Sequence, residues 1–440
     1  MDASADGIVA RNVRQISHLD IPGGGQIIVQ DNLAFVGHMD PPNGTSIVDI
    51  SDIEHPKVLC TIPIEPGNHS HKVRVSGNVM LINNENHTRH LQAAGRQLPK
   101  KRAELEAELG RAPTDAELAA CFNYRAEDLP AMENAANAVY DSGGVRIFDI
   151  SDPTAPKETS FFKTFGNGVH RFDFDGHYAY ISTRAEGYQA NIVMIVDVSD
   201  PANPKEVSRW WLPGQWIAGG EEPYWGNLRF ECHHPLRFGD RLYVSYHAAG
   251  MVILDISDIT KPKMLSHYNY HPPFRPSTHT YARMPFPIGG KDIAVVVDEQ
   301  PGRPRPGQVP AFMWIFDVTD ETDPKPLSSF SMVEEDTPYR QGDLLARNAR
   351  FGAHQCHERM RDSLVYVAWF RGGLRVVDIA DPTLPEEVGY FIPTPAEGAP
   401  TVQSNDVFVD DGGRIFLLDR FKGLDILEYT GPKAGATGPT

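Results

Sequence analysis

The chain has 440 residues, of which 41% are hydrophobic and 22% charged, so a largely disordered protein is excluded. The 41 Lys and Arg against 58 Asp and Glu give a net charge of −17, which argues against a nucleic-acid partner and against docking on anionic lipid. No apolar run reaches the roughly 20 residues of a membrane span, and no secretory signal is visible. The four cysteines form no C-x-x-C pair, so we expect a cytoplasmic protein with free thiols.

One signature recurs along the chain: a β-branched run, an acidic residue, and a turn that ends in proline. Its copies read SIVDISDIEHPKVL, RIFDISDPTAPKET, MIVDVSDPANPKEV, VILDISDITKPKML, WIFDVTDETDPKPL, RVVDIADPTLPEEV and, in degenerate form, DILEYTGP. The acid falls at Asp49, Asp149, Asp197, Asp255, Asp317, Asp378 and Glu428. One spacing is about twice the others and indicates an insertion, and the rest approximate the roughly 40–50 residues of a propeller blade.

Each repeat predicts four strands, which is the content of one blade. Residues 12–22 resemble an outer strand without inner partners, whereas the last repeat ends without an outer strand. We therefore predict an all-β fold, a seven-bladed β-propeller over residues 12–430, in which the N-terminal strand closes the last blade and hides both sheet edges.

These signatures resemble the LVIVD-repeat family of bacterial proteins over nearly the whole chain. The resemblance implies a β-propeller and little about chemistry. In architecture the chain is also similar to two groups of seven-bladed propellers: the carotenoid-cleaving oxygenases, with iron held by four axial histidines, and the selenium-binding/methanethiol oxidase group. That similarity concerns only histidines near the axis, and no residue role is transferred from either group.

Histidine recurs at one position of the repeat, where the innermost strand begins. Aligned on the turn that ends this strand, the position reads Gly25, His71, His170, His234, His279, His354 and Asn405. Inner strands surround the central channel, so the five imidazoles should converge and hold a divalent metal, with Fe(II) favoured over Cu or Zn. The alternative is that each histidine caps its own strand. Because protonated imidazole cannot ligate, metal binding should fail below the histidine pKa of about 6.5.

Loops on the same face supply further candidates. We assign catalytic roles to His71, His247 and Arg371, and a substrate-binding role to Arg184 and Trp369. Salt bridges between blades are the alternative for the arginines. Carboxylates next to the ring histidines, which orient ligating imidazoles in many metal sites, are Glu231 and Glu358.

Two segments differ from the repeats in composition. Residues 87–140 are rich in Ala, Glu and Leu and predict a helical insertion, or cap, in blade 2, with a capping box at Thr114 and Glu117 and a stop at Gly110. Residues 209–232 hold four of the six tryptophans, of which Trp211, Trp216 and Trp225 are predicted to bind substrate beside the cap. The alternative is that these tryptophans only pack the loop.

Three functions are compatible with these features. The first is a metal-dependent enzyme that oxidises or oxidatively cleaves a small apolar or aromatic molecule. The second is a metal-assisted hydrolase or lyase that uses an unligated histidine as acid or base. The third is a non-catalytic propeller that presents loops to a protein partner.

Overall fold

A computed structural model describes residues 7–122, 124–271, 274, 277–300, 309–332, 350–399 and 401–432. The predicted insertion at 87–140 therefore includes one residue, 123, outside the described part. Antiparallel strands that pair in chain order are the main secondary structure of the described chain, and its α-helices lie between the β-strands Val79–Asn86 and Gly144–Asp149. The fold is all-β, with blade-like sheets.

The N-terminal strands and the first sheet are β1 (Val9–Arg11), β2 (Val13–Pro22), β3 (Gly24–Gln30), β4 (Leu33–His38), β5 (Asn43–Asp49) and β6 (Lys57–Pro63). Next come β7 (Asn68–His69), β8 (Val73–Ser76), β9 (Val79–Asn86), α1 (Arg89–Leu109), α2 (Asp115–Ala120), α3 (Leu129–Ala136), β10 (Gly144–Asp149) and β11 (Lys157–Lys163). The middle of the chain forms β12 (Phe165–Phe174), β13 (Tyr178–Arg184), β14 (Ile192–Asp197), β15 (Lys205–Trp210), β16 (His234–Phe238), β17 (Arg241–Ser245), β18 (Met251–Asp255) and β19 (Lys263–Tyr268).

The remaining strands are β20 (Ser277–Arg283), β21 (Ile293–Glu299), β22 (Met313–Asp317), β23 (Lys325–Phe330), β24 (Phe351–Cys356), β25 (Leu364–Phe370), β26 (Leu374–Asp378), β27 (Glu386–Ile392), β28 (Ser404–Val409), β29 (Arg414–Asp419) and β30 (Lys422–Tyr429). Strands pair within the groups β3–β6, β8–β11, β12–β15, β16–β19, β20–β23 and β24–β27, and β28–β30 are completed by β2.

The first strand of each group lies against the first strand of the next. These contacts run from β3 through β8, β12, β16, β20 and β24 to β28, and β28 returns to β3. The inner strands therefore close a ring, and neighbouring sheets pack against each other through buried aliphatic and aromatic clusters. A ring of inner strands brings residues from distant parts of the sequence around one channel.

The repeated acid is a turn-forming residue. Asp49 accepts the backbone N–H of Ser51 at 2.9 Å, and Asp255 accepts that of Ser257 at 2.8 Å. These hydrogen bonds lower the pKa of both exposed carboxyls. The signature thus fixes the end of the third strand in a sheet, as Asx turns do, and carries no part of the channel chemistry.

The N-terminal segment joins two sheets. Strand β2 pairs with β30, with Val13 opposite Tyr429, which confirms the prediction that residues 12–22 supply the missing outer strand. In addition β1 pairs with the outer strand β27 of the neighbouring sheet, with Val9 opposite Ile392. One continuous segment therefore covers the outer edge of one sheet and completes the next.

The region between β9 and β10 contains the three helices. Thr114 and Glu117 form the predicted capping box, and Gly110 ends α1 with a left-handed φ of 67°. Leu98, Leu118 and Met132 are buried where the helices meet. All four cysteines are free, as expected. Among the described residues no helix is long and apolar enough to cross a membrane.

Candidate metal and substrate site

A pocket of about 100 Å³ lies where the inner strands begin, and half of the residues that line it are histidines. The histidines that line it are His69, His71, His90, His170, His233, His247, His279 and His354. Eight of the 17 histidines of the chain therefore meet in one cavity, although seven lie in or beside five different groups of strands and His90 lies at the start of α1.

The rings follow one another around the channel. The centroid of His71 lies 5.3 Å from that of His170, and His170 lies 4.9 Å from His233. The series continues from His233 to His279 at 4.2 Å and from His279 to His354 at 4.4 Å. The structure thus brings together four of the five histidines that the repeat register selects.

His234 is the exception, and His233 occupies its place. The His234 ring is fully buried on the other side of the strand start, where its Nε2 lies 3.1 Å from Arg74 Nη2. Successive residues of a strand point to opposite faces, so an alignment error of one residue exchanges the two. Glu358, proposed as a partner of a ligating histidine, also lies on that other side, 3.6 Å from His234.

Hydrogen bonds fix the orientation of the two central rings. His233 donates from Nδ1 to the backbone carbonyl of His279 at 2.8 Å, and His170 Nδ1 lies 3.0 Å from both carboxylate oxygens of Glu85. With Nδ1 as the donor in each ring, the lone pair is on Nε2. The two Nε2 atoms lie 3.1 Å apart. Two facing lone pairs at this distance repel unless a cation or a proton lies between them.

Electrostatics keeps these imidazoles neutral. Burial is the largest cause that lowers the pKa of His170 and His233 well below 6.5, and nearby positive charge, led by Arg89 for His170, adds to it. Neutral imidazole is the form that ligates metals. The ring nitrogens in the pocket are therefore unprotonated and able to bind a metal cation.

Two groups combine two histidines with one carboxylate: His69, His71 and Glu85, and His279, Glu299 and His354. Within each group the possible ligand atoms lie within 4.8 Å of one another. Burial raises the pKa of Glu85 to about 7, so a positive charge beside it favours its ionised form. Two histidines and a carboxylate are donors that both zinc and non-haem iron use.

His279 is the ring member most firmly held by the protein. Its Nδ1 donates to Thr280 Oγ1 at 2.9 Å, because the Thr280 hydroxyl itself donates to Gln355. Its Nε2 accepts from Arg171 at 3.1 Å. Both nitrogens are therefore occupied, which favours a structural role for His279 over the ligand role that the sequence predicts.

His247 is the opposite case. It is 1% exposed, and neither ring nitrogen has a hydrogen-bond partner among the described residues. Its centroid lies 4.6 Å from His233, its Nε2 lies 3.8 Å from Glu231, and its φ is 40°, in the left-handed region. A buried polar ring in an unfavourable backbone conformation, aimed into a pocket, is typical of a functional residue.

The predicted tryptophans lie outside the residues that line this pocket. Trp211 donates to Glu221 at 3.2 Å and packs edge-on against Trp216 at 5.5 Å. Trp225 stacks on Phe230 at 4.9 Å and is buried in the core. The loop folds on itself and its aromatic rings pack against one another, so a substrate-binding role for these tryptophans stays a prediction.

The other predicted loop residues are also elsewhere. Trp369 is fully buried and packs against Phe330 at 5.7 Å, and the Arg371 guanidinium lies over the Phe351 ring at 5.9 Å. Arg184 lines a separate surface depression. The repeat register predicts which loops lie on the same face, but it does not predict the direction in which each side chain points at the end of a strand. These three residues are therefore not among those that line the histidine pocket.

The sequence reasoning also missed several residues that the fold brings to the pocket or beside it. They are His69, His233, Lys72, Arg229 and Arg350. The doubled histidines in NHSHK and ECHH were an available signal for the first two. The cations lie on loops and inner strands and share no repeat position, so nothing in the sequence pattern sets them apart.

Fold and site together define a β-propeller with a histidine-lined pocket on its channel. The LVIVD repeat model matches residues 24–60, 126–164, 173–210, 238–270 and 363–392. The chain therefore carries LVIVD repeats. A comparison with curated protein sequences gives no match.

Solved structures with a similar fold are distant in sequence. The periplasmic gluconolactonase PpgL of Pseudomonas aeruginosa has a TM-score of 0.55 and 11% identity, with 88% of each chain covered. The WD40 repeats of RRP9 have a TM-score of 0.53 and 9% identity, with 97% of this chain and 98% of that chain covered. The U3-55K structure has a TM-score of 0.53 and 9% identity, with 94% and 98% covered. At this level of identity the similarity concerns the propeller fold alone.

Proposed function

We propose that the chain is a metal-dependent enzyme that acts on a small molecule in the histidine pocket. The protein would be a seven-bladed propeller over residues 12–430, in which residues 87–140 form a helical cap on the same face. The start of α1 supports the cap, because Arg89 and His90 line the pocket. The net charge of −17 supports a small-molecule ligand over nucleic acid or membrane, and the free thiols favour the cytoplasm.

One observation carries the metal proposal: the Nε2 atoms of His170 and His233 face each other at 3.1 Å while their Nδ1 atoms are anchored by oxygen. Two ligands at about 2.1 Å from one zinc or iron ion lie roughly 3.0–3.4 Å apart. A divalent ion would therefore fit between these nitrogens without a change in ring orientation.

Further donors lie next to this pair. His71 follows His170 around the channel, and His69 stacks on His71 at 3.8 Å. His69 donates from Nδ1 to the backbone carbonyl of Met39 at 2.6 Å, which leaves its Nε2 without a proton. We propose that His170, His233 and one of these two histidines would hold the metal, with Glu85 orienting His170.

Iron(II) is our first choice of metal, and oxidation of the substrate is our first choice of reaction. The support is chemical: the pocket offers imidazole and carboxylate donors and no thiolate among its lining residues. A bound Fe(II) would supply oxygen chemistry at positions that the protein leaves open. In this scheme the chain orients the donors and excludes bulk water.

Metal-assisted hydrolysis or lyase chemistry is the second candidate, and His247 favours it. A buried imidazole with both nitrogens unpartnered and a pKa lowered by burial is neutral, so it accepts a proton from water or substrate. Glu231, 3.8 Å away, would stabilise the protonated ring. Oxygen dependence of turnover separates the two reactions.

The decisive experiment measures metal in protein purified without a polyhistidine tag. We expect about one equivalent of a transition metal in the wild type and loss of that metal in His170→Ala and His233→Ala. His177→Ala is the matched control, because the His177 side chain is 53% exposed on the surface. Circular dichroism should show unchanged β-structure in all three variants.

Reconstitution of the metal-free protein with Fe(II), Zn or Cu then tests the reaction, with oxygen uptake and hydrolysis as separate readouts. Absence of metal from the wild type after reconstitution, with intact circular dichroism, would reject the proposal. The non-catalytic propeller would then be the better description.

A further inference from the structure

Positive charge is concentrated in the same pocket, although the chain as a whole is acidic. The cationic side chains that line it are Lys72, Arg89, Arg229, Arg350 and Arg420. Three of them have glutamate partners: Arg89 lies 3.1 Å from Glu85, Arg350 lies 2.7 Å from Glu299, and Arg229 pairs with Glu231.

Lys72 and Arg420 have no such partner. Lys72 is only 3% exposed, and its Nζ donates to the backbone carbonyl of Gly25 at 3.0 Å. Arg420 donates to Asn405 Oδ1 at 3.3 Å. Within the described part of the chain, no carboxylate lies at ion-pair distance from either cation.

These two cations belong to one hydrogen-bonded cluster. The Gly25 carbonyl accepts from Lys72 and also from Asn405 Nδ2, at 2.9 Å, and Asn405 in turn accepts from Arg420. Gly25 and Asn405 are the two positions of the inner-strand register that are not histidine. A side chain at Gly25 would place its Cβ 2.6 Å from that of His71, so only glycine fits this position.

The surroundings compensate this cluster only in part: Glu299 and Asp40 favour the charged form of Arg420, but neither carboxylate lies at ion-pair distance from it. Burial and the nearby Arg350 lower the pKa of Arg420 to about 9, which indicates that further positive charge there is unfavourable. Burying an ammonium or a guanidinium without a counter-ion is costly, and a bound anion removes much of that cost.

We propose that Lys72 and Arg420 bind an oxyanion, a carboxylate or phosphate group, at one side of the pocket. The group would belong to the substrate, and this part of the inference rests on the proposed function. The ring therefore has two chemical halves: histidines for a metal, and the Gly25–Asn405 side for the negatively charged end of a small molecule. This replaces the apolar or aromatic substrate of the sequence-based prediction.

Isothermal titration of the purified protein with inorganic phosphate and with acetate tests the site. We expect one of the two anions to bind at one equivalent, and the identity of that anion to show which oxyanion the site prefers. Lys72→Met and Arg420→Gln should each weaken binding about tenfold or more, because a charge-assisted hydrogen bond to the anion is lost. Lys57→Met and Arg14→Gln, at exposed positions, are the matched controls and should bind as the wild type does.

Stability separates loss of the site from loss of the fold. Lys72→Met removes a buried cation without a counter-ion, so its melting temperature in anion-free buffer should equal or exceed that of the wild type. Phosphate or acetate should then raise the melting temperature of the wild type but not that of this variant.

The titrations are repeated on metal-free protein, so the two proposals fail differently. If neither anion binds, or if binding is unchanged in both variants, the oxyanion site is rejected even when metal is present. If the anion binds as predicted but no metal is ever found, the oxyanion site stands and the metal-dependent function is rejected.

Discussion

The two layers of side chains along the channel differ sharply although they come from the same inner strands. Residues such as His170 face the histidine pocket, whereas the next residue, Arg171, faces the interior of the channel. We call this interior set, composed of Arg74, Arg171, His234, Gln355, Glu358 and Asp406, the sealing layer. One step along a strand therefore separates two environments.

In the sealing layer, charges compensate one another. Arg74 lies 2.5 Å from Glu358, Arg171 donates to Gln355 at 2.9 Å, and Gln355 donates to Glu358 at 2.7 Å. The cavity beside this network is only about 20 Å³. In the pocket layer, formed by the residues that line the histidine pocket of about 100 Å³, Lys72 and Arg420 have no carboxylate at ion-pair distance among the described residues, and both ring nitrogens of His247 lack a hydrogen-bond partner there. The comparison supports our proposals, in which one layer holds the propeller together and the other binds ligands.

The largest effect on stability should come from the sealing layer. Glu358→Gln removes the carboxylate that Arg74 and Arg171 share; Arg74 keeps an ion pair with Asp173 at 3.6 Å, but Arg171 loses its ion pair, and breaking a buried ion pair in this way costs about 3–5 kcal/mol. Denaturant unfolding measures the loss. Glu428→Gln, which alters only the exposed pair with Arg14, should change the free energy of unfolding by less than about 1 kcal/mol. Equal stabilities of the two variants would contradict the assignment of the sealing layer.

A substitution in the pocket layer should leave stability nearly unchanged and lower the activity. His247→Asn removes a ring that has no hydrogen-bond partner, so the free energy of unfolding should change by about 1 kcal/mol or less. Turnover should fall about 100-fold, as expected for loss of a general base. A variant with a large loss of stability and full activity would place His247 with the sealing layer instead.

Acid should weaken the pocket layer, and the sealing layer shares this sensitivity through His234, whose pKa burial also lowers. The buried pocket histidines have pKa values below 6.5 when folded, so the unfolded chain binds more protons than the folded chain once the pH falls below about 6.5. Stability of the metal-free protein should therefore be complete above that pH and decrease below it. Unfolding at pH 8, 6.5 and 5.5 measures this, and His233→Asn should show a smaller decrease.

Metal retention should follow the folded pKa values and not the ordinary one. Because the pKa of each ring is lowered, metal should remain bound below pH 6.5, a lower limit than the sequence alone leads us to expect. Dialysis against buffers of decreasing pH, followed by metal analysis, tests this point. Release of the metal as soon as the pH falls through 6.5 would contradict it.

The smallest effect should come from a region outside both layers. Thr114→Ala removes the capping box of α2 and should cost about 1 kcal/mol. Metal content should not change, because the capping residue lies away from the pocket lining. A change in metal content would show that the helices and the pocket are coupled.

Much of the fold was predictable because repetition amplifies weak local signals. The Asp-turn-Pro signature recurs, so even the unmatched outer strand at residues 12–22 was found. Thr114 and Glu117 were predictable for another reason: a capping box is a purely local interaction of four residues. Both predictions succeeded because they rest on a signature that is repeated along the chain or on residues that are close together in sequence.

The site was less predictable, since it depends on strand faces and on contacts between distant residues. The sequence located the register of the ring but chose His234 over His233, because one residue of alignment error changes the face. Lys72 and Arg420 meet only through Gly25 and Asn405, which lie on different strands. No periodic pattern marks such a cluster, so it is visible only in the folded chain.

The pairing of β2 with β30 also has a consequence for biosynthesis. Arg14 and Glu428 are 414 residues apart in sequence, so the ribosome completes β2 long before its partner strand exists. During translation this early segment must stay unpaired, or pair elsewhere, until the final sheet emerges. Contacts of such high sequence separation slow folding and expose strand edges to aggregation. The step that closes the ring is therefore the one at which we expect newly made chains to depend most on chaperones.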